Sequence, residues 1–251
     1  MWGIIPAAGK GSRIQPLAFS KELLPLTGLG KDNVQRPRAV SDFLVERLIT
    51  GGARRLCFVI SAEKSDILAY YSRSACPASV CYTVQPRPRG LCDAIFQALP
   101  VIDPCQPVLV GLPDTIWFPE DGFRQLDDAR FSFLLFPVRD PHLFDSVEQD
   151  DDGRIRRIWV KDVHTPAHLI WGAFKMPGFV LRELFDLWVE RDRADEYIGT
   201  LVTEWIRRGG TAWGVPAGKA YYDVGTMEGY LEAMRILREG VNAVAAGSAF
   251  E

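Results

Sequence analysis

Two short runs of this chain lack any polar alternation, and the stretch between them is apolar on one side only. Residues 2–7 (WGIIPA) and 55–61 (RLCFVIS) have the make-up of strands buried on both faces. Residues 39–50 repeat instead at helical spacing, with Val40, Phe43, Leu44 and Leu48 on one face and Gly51-Gly52 as a stop. Strand, helix, strand is a strong constraint, because parallel neighbours need a crossover that packs back onto their own sheet. The alternation continues with a helix over 62–72, a strand over 80–84, a helix over 91–99 and a strand over 108–112. It predicts an α/β fold: a mainly parallel, Rossmann-like, doubly wound mixed sheet with helices on both faces.

Beyond Asp114 the pattern loosens. Strands are expected over 131–138 and 154–161, separated by Asp150-Asp151-Asp152-Gly153. That acidic run is a solvated turn and not a calcium loop, since an EF-hand needs Asp first and Glu twelfth, where Glu148 and Trp159 stand. Helices over 178–190 and 200–208, a strand near 212–216 and a last helix over about 227–238 complete the series. Residues 241–249 are rich in small side chains and read as a frayed end. With no repeat and no Pro-, Gly- or Ser-rich linker, a single domain over 1–240 and a flexible tail over 241–251 are expected.

The formal charge of −3 gives no long-range field for nucleic acid or an anionic membrane, so an anionic small molecule would need a local positive site. No apolar run approaches the roughly 18 residues of a membrane span, and no basic stretch with a long apolar one behind it opens the chain. A cytoplasmic location is therefore expected. The cysteines, Cys57, Cys76, Cys81, Cys92 and Cys105, contain no C-x-x-C pair and read mostly as buried thiols. His164 and His168 have the spacing of a zinc pair, but Pro166 breaks the helix that would align them. The tryptophans are assigned to the core or a subunit contact, which is compatible with a homo-oligomer.

The chemistry is concentrated in residues 4–26, IIPAAGKGSRIQPLAFSKELLPL. A strand runs into a loop containing Ala8, Gly9, Gly11 and Ser12, whose main chain can approach an anion closely and present N–H groups to it. A Walker A loop is excluded because Lys10 is followed by Gly11, and the dinucleotide fingerprint fails because its third glycine would fall on Ile14. Arg13 and Lys21 flank a bend at Pro16, placing cations where they can clamp phosphate oxygens and absorb charge on a departing pyrophosphate. Asp114 ends an apolar strand, where ligands gather in open α/β sheets. Asp223 precedes a Gly-Thr turn, where it can equally cap the last helix. Gln85 carries an amide with both a donor and an acceptor, and Gly90 brings no side chain; Gln85 is otherwise a loop residue ahead of the Pro-Arg stretch.

The string Gly9-x-Gly11-x-Arg13-x-x-Pro16 with Ser20-Lys21-Glu22-Leu23-Leu24-Pro25 resembles the signature of the sugar-1-phosphate nucleotidylyltransferases, the glucose-1-phosphate thymidylyltransferases and uridylyltransferases in particular. Further segments are similar in the same order: residues 84–94 (VQPRPRGLCDA), Gly111-Leu112-Pro113-Asp114, and Tyr222-Asp223-Val224-Gly225-Thr226. The resemblance implies the fold of the nucleotide-diphospho-sugar transferases. It also implies base reading by Gln85 and Gly90, Mg²⁺ on Asp114 and Asp223, and Lys161 on the phosphate of a sugar 1-phosphate. Gly172, in the step Trp171-Gly172, would border the acceptor pocket. The chain departs from the pattern on that side: the usual Glu-Lys-Pro is Val160-Lys161-Asp162, and the usual aromatic-glycine step is Phe144-Asp145.

The expected reaction joins dTTP or UTP to a sugar 1-phosphate by direct in-line attack, with release of pyrophosphate and no covalent enzyme intermediate. A transferase for a non-sugar phosphate monoester such as phosphocholine, or a non-catalytic nucleotide-sugar sensor of the same fold, are the alternatives.

Overall fold

The apolar runs lie side by side as parallel interior strands of one mixed sheet. The structure is a computed structural model that describes residues 1–29, 35–73 and 76–247. Strand β1 (Trp2–Pro6) is followed by the hairpin β2 (Pro25–Leu29) and β3 (Gln35–Ala39), then α1 (Val40–Thr50), β4 (Arg55–Ile60), α2 (Ser65–Tyr71), β5 (Ser79–Val84), α3 (Gly90–Phe96) and β6 (Val108–Gly111). β1 pairs in parallel with β4 on one side and β6 on the other, and β4 with β5. The chain therefore steps outward from β1 to β5 and returns to the opposite side of β1. The crevice at the carboxyl ends of β1 and β6 is the switch point where open α/β sheets bind ligands.

The second half adds β7 (Thr115–Phe118), β8 (Phe131–Pro137), β9 (Asp145–Gln149), β10 (Ile155–Val160), β11 (Leu169–Met176), α4 (Gly178–Glu190), α5 (Ile198–Arg207), β12 (Ala212–Val215), β13 (Ala220–Asp223) and α6 (Met227–Gly247). The sheet order is β10-β9-β11-β6-β1-β4-β5, with β8 paired to β11 and β12. β11 runs antiparallel to β6, β8 and β9, so the parallel half gives way to an antiparallel one. Cores lie on both faces, one including Leu44, Leu48 and Ile67 of α1 and α2, the other Ile95, Leu184 and Val202 of α3, α4 and α5. The expected helix over 178–190 forms over those residues, with Val180, Leu181, Leu184, Leu187 and Trp188 inward.

Several expectations are corrected. β2, β3, β7, β9, β11 and β13 had no counterpart in the sequence reading, and β11 is a central strand. The last helix runs on to Gly247. Positions 241–247 of the expected tail are thus helical, and 248–251 lie outside the described residues. Asp150 does cap its own turn, accepting from the amides of Asp152 and Arg154. Cys92 is fully buried, and burial pushes its thiol well above the ordinary value, as suits a packing residue. Among the described residues, no helix is long and apolar enough to cross a membrane.

Candidate active site

The glycine loop leaves the sheet where the Ala7 amide makes its last bond, to the Val59 carbonyl at 2.8 Å. A side chain at Gly9 would meet nothing within 4 Å, so the main chain there is open to a ligand. Gly11 has φ of 66°, and a Cβ on it would fall 2.7 Å from Lys21 Cδ. Glycine there lets Lys21 pass close to the loop. Ala8 is buried beneath it, while Ser12 and Arg13 are exposed. Ser20 fixes the next segment by donating its amide and hydroxyl to Asp66, both at 2.6 Å. Lys64 Nζ donates to the Ala7 carbonyl at 2.7 Å and to both Glu22 oxygens at 2.8 Å. Burial lowers the Lys64 pKa and raises that of Glu22 even though each attracts the other. This buried pair ties the end of β1 to the turn carrying Lys21, and nothing in the sequence marked it.

Asp114 and Asp223 converge. β13 pairs with β7 so that Asp223 faces Thr115, and the Val224 amide donates to the Asp114 carbonyl at 2.9 Å. A Cβ on Gly225 would lie 2.9 Å from Asp223 Oδ1, 3.0 Å from Asp114 Oδ2 and 3.2 Å from an Arg13 guanidinium nitrogen. Lys21 Nζ donates to Asp114, and Arg13 donates to Asp223 at 2.8 Å. Burial opposes the charge on Asp114, but Lys21 outweighs it and holds the carboxyl below its usual value. Burial likewise opposes the charge on Lys21, and Asp114 and Glu22 outweigh it, so the ammonium is held above its usual value. Two carboxylates on one spot, with no third His, Cys, Asp or Glu beside them among the described residues, form a donor set that fits Mg²⁺ completed by phosphate and water. Gly229 protects this arrangement: a Cβ there would come within 1.8 Å of the Asp223 carbonyl oxygen.

Gln85 lies just past β5 in the wall of a cavity of about 670 Å³, with Ala8, Lys10, Ser61 and Lys64. Its Nε2 donates to Asp93 at 2.7 Å and to the Gly90 carbonyl at 3.1 Å. A Cβ on Gly90 would fall 2.6 Å from Glu196, and φ is 87°. The glycine is thus required by its backbone and by the approach of Glu196.

Lys161 follows β10 with φ of 46°, donates its amide to the Phe144 carbonyl at 3.0 Å and sets Nζ 4.9 Å above the Tyr197 ring. Asp145 lies beside it, opposite Val160 in the β9–β10 register. Burial pushes the Asp145 carboxyl up to about 6, against weaker pulls from Trp171 and Lys161. The Trp171 indole N–H is near enough to favour the carboxylate yet buried without a hydrogen-bond partner. Gly172, at a bulge of β11 against β8, makes room for Tyr221 and Phe136: its Cβ would lie 2.6 and 2.7 Å from those rings. Burial, then Asp223, Asp114 and Asp145, push the Tyr221 hydroxyl well above its usual pKa, so these carboxylates surround one side chain.

A raised carboxyl pKa has a definite consequence for stability. Between its ordinary value near 3.8 and about 6, folded Asp145 holds a proton that the unfolded chain has released, so its contribution to stability falls as pH rises through that window. Asp145→Asn is expected to raise Tm at about pH 8 and to leave it unchanged at about pH 3.5. Thermal melts of both proteins across that range check this, and an equal shift at every pH would contradict it.

The structure therefore groups the expected residues in three adjoining zones: Arg13, Lys21, Asp114 and Asp223 around Gly225, Ala8 and Gln85 in the cavity wall, and Lys161 with Gly172 toward Asp145 and Tyr221. Glu22, Lys64, Asp93, Tyr221 and Gly229 touch or neighbour these residues and were not singled out from the sequence. Only Glu22 and Asp93 lay inside a motif, and without assigned roles.

A switch-point crevice with an open glycine loop, paired cations and converging carboxylates defines a nucleotide-handling α/β transferase. The family model described as nucleotidyl transferase matches residues 2–240, and the chain belongs to that family. A bifunctional protein GlmU from Burkholderia thailandensis is 30% identical over 161 residues, covering 62% of this chain and 32% of that protein. Its counterpart in Burkholderia orbicola is 28% identical over 170 residues, covering 66% and 34%. The chain thus spans about a third of the length of these relatives.

Solved structures share the fold over nearly the whole chain. One from Bacillus anthracis, given the provisional name glucose-1-phosphate thymidylyltransferase and solved in complex with sucrose, has a TM-score of 0.78 at 20% identity and covers 95% of this chain and 96% of that one. A UDP-glucose pyrophosphorylase complexed with UDP-glucose has a TM-score of 0.76 at 18% identity, covering 95% and 98%. A UTP-bound UGPase from Acinetobacter baumannii has a TM-score of 0.70 at 18% identity, covering 93% and 91%.

Proposed function

We propose that this chain joins a pyrimidine nucleoside triphosphate, dTTP or UTP, to a sugar 1-phosphate, giving an NDP-sugar and pyrophosphate. The observation that carries the proposal is the meeting of Asp114, Asp223, Arg13 and Lys21 around Gly225 beside the open glycine loop. An acceptor phosphate oxygen attacks the α-phosphorus, the bond to the bridging oxygen breaks, and its electron pair leaves with pyrophosphate. The nucleophile is already an anion, so no strong base is needed and catalysis reduces to alignment and charge neutralisation. Arg13 and Lys21 exchange a carboxylate for phosphate oxygens of the departing group, and Lys161 holds the acceptor phosphate. Mg²⁺ held by Asp114 and Asp223 supplies neutralisation of the phosphate charge when bound. The neighbours whose names specify thymidylyltransferase or UDP-glucose pyrophosphorylase support the choice of reaction.

The test is pyrophosphate release, read through a coupled pyrophosphatase, with every common nucleoside triphosphate crossed with sugar 1-phosphates and phosphocholine and the product masses measured. Turnover with UTP or dTTP and a sugar 1-phosphate, abolished by chelation of divalent cations, is expected. Nucleotide binding without pyrophosphate release from any pair would refute catalysis and leave a sensor.

One observation favours a second acceptor class. The Asp145 carboxylate beside Lys161 would suit a cationic group on the acceptor better than a neutral hydroxyl, as in phosphocholine. Turnover with phosphocholine in preference to every sugar 1-phosphate would establish that reading.

A further inference from the structure

We propose that Asp93 is a positioning residue that sets base selectivity by fixing which end of the Gln85 amide faces the nucleotide cavity. The inference rests on the reading of Gln85 as the base-facing residue. A glutamine can present either a donor or an acceptor, and rotating the amide interchanges them. Here the chemistry of its neighbours removes the choice. Asp93 is an acceptor when ionised, and the Gly90 carbonyl is an acceptor always. Both lie within hydrogen-bond distance of the same Gln85 atom, at 2.7 and 3.1 Å. That atom must be the nitrogen, because two acceptors against an amide oxygen would repel.

The arrangement is buried and braced. Gln85 is 4% exposed and Asp93 6%. The other Asp93 oxygen accepts from Gln97 Nε2 at 3.1 Å, one turn along the same chain segment. Gly90 is held in turn, since the Leu91 amide next to it donates to the Glu196 carbonyl at 2.7 Å. The Gln85 carbonyl oxygen receives no hydrogen bond among the described residues, and it is not among the sealed polar atoms that lack a partner. It is the end left to the cavity that Gln85 lines.

An acceptor at that point distinguishes bases by one hydrogen. Uracil and thymine offer an N3–H donor to it, whereas cytosine offers a bare N3 lone pair, acceptor against acceptor. A polar site left unpaired in this way discriminates strongly. Asp93 touches no substrate in this account. It acts through Gln85, by making the other amide orientation unfavourable.

In Asp93→Asn the stronger of the two fixed acceptors becomes able to donate, and only the Gly90 carbonyl still opposes a turned amide. The preference for UTP over CTP in calorimetric binding is expected to fall by about tenfold to a hundredfold, mainly through tighter CTP binding. Asp93→Ser, smaller and also able to donate, should move the ratio the same way. A purely structural role would weaken both nucleotides alike and leave the ratio unchanged, and that result in folded variants would overturn the proposal. The wild-type protein supplies a test independent of folding defects. Its Gln85 side-chain amide protons, followed by NMR, should exchange slowly with solvent, and exchange at the rate of an exposed glutamine would equally overturn it. If the wild type binds neither UTP nor dTTP, the functional reading itself fails; if it prefers them to CTP and the variants keep the preference, only the role of Asp93 does.

Discussion

Lys21→Ala is expected to lower turnover by about a hundredfold or more, the loss seen when one preorganised charge donor is removed from a transition state. The same change should also cost stability, for a reason visible in the packing. Lys21 Nζ is the cation on Asp114, whose side chain is only 12% exposed, and both partners are largely shielded from water. Removing it strands a buried carboxylate, a defect worth about 3–5 kcal/mol. The contribution of Asp114 is present above the ordinary carboxylate value and lost as pH falls below it through the depressed folded value; without Lys21 that contribution disappears. Arg13 provides the contrast. Its side chain is 61% exposed, so Arg13→Ala should lower turnover comparably while leaving Tm close to wild type. Steady-state rates and thermal melts on both variants check this pair of outcomes, and near-normal turnover in both would remove the cations from the reaction.

Gly90→Ala should produce a large effect from the smallest change, a single methyl. The residue has φ of 87°, and the new Cβ would fall 2.6 Å from the Glu196 Cα, Cβ and carbonyl oxygen. Backbone cannot swing aside as a side chain tip can, so the segment must move. Unfavourable φ and overpacking together cost a few kcal/mol, about 2–4, lowering Tm by roughly 5–10 °C. The movement also breaks the Gln85 bond to the Gly90 carbonyl, and nucleotide affinity should fall by about tenfold or more. Calorimetry measures both quantities. Retention of Tm within about 2 °C and of the wild-type dissociation constant would show that the segment is more tolerant than its contacts imply.

The parts of the fold that could be read in advance are those whose own pattern decides their state. Residues 55–61 and 178–190 announce a buried strand and a one-sided helix by spacing alone. β11 does not, although it lies near the middle of the sheet. Its sequence, LIWGAFKM, carries Gly172 and Lys175, and a lysine argues against a strand covered on both faces. Lys175 is nonetheless 3% exposed, because its ammonium reaches the Leu126 carbonyl and pairs with Asp128. Those partners come from a distant turn that no local window contains. The short strands β7 and β13 are hidden for a related reason, as each is stabilised by the other across about a hundred residues of chain.

The same division runs through the site. Sequence alone determined which groups are available: an open glycine loop, Arg13 and Lys21 close behind it, an aspartate at a strand end, another before a Gly-Thr turn, and a glutamine ahead of Gly90. These are properties of residue type and spacing, which the chain carries wherever it goes. Tertiary structure alone decided their relations: that Asp223 meets Asp114 through the β7–β13 register, that Lys64 and Glu22 brace the loop, and that Asp93 fixes the Gln85 amide. Each of those contacts joins groups through space, and a hydrogen bond or ion pair depends on distances of a few ångströms that only the folded chain sets.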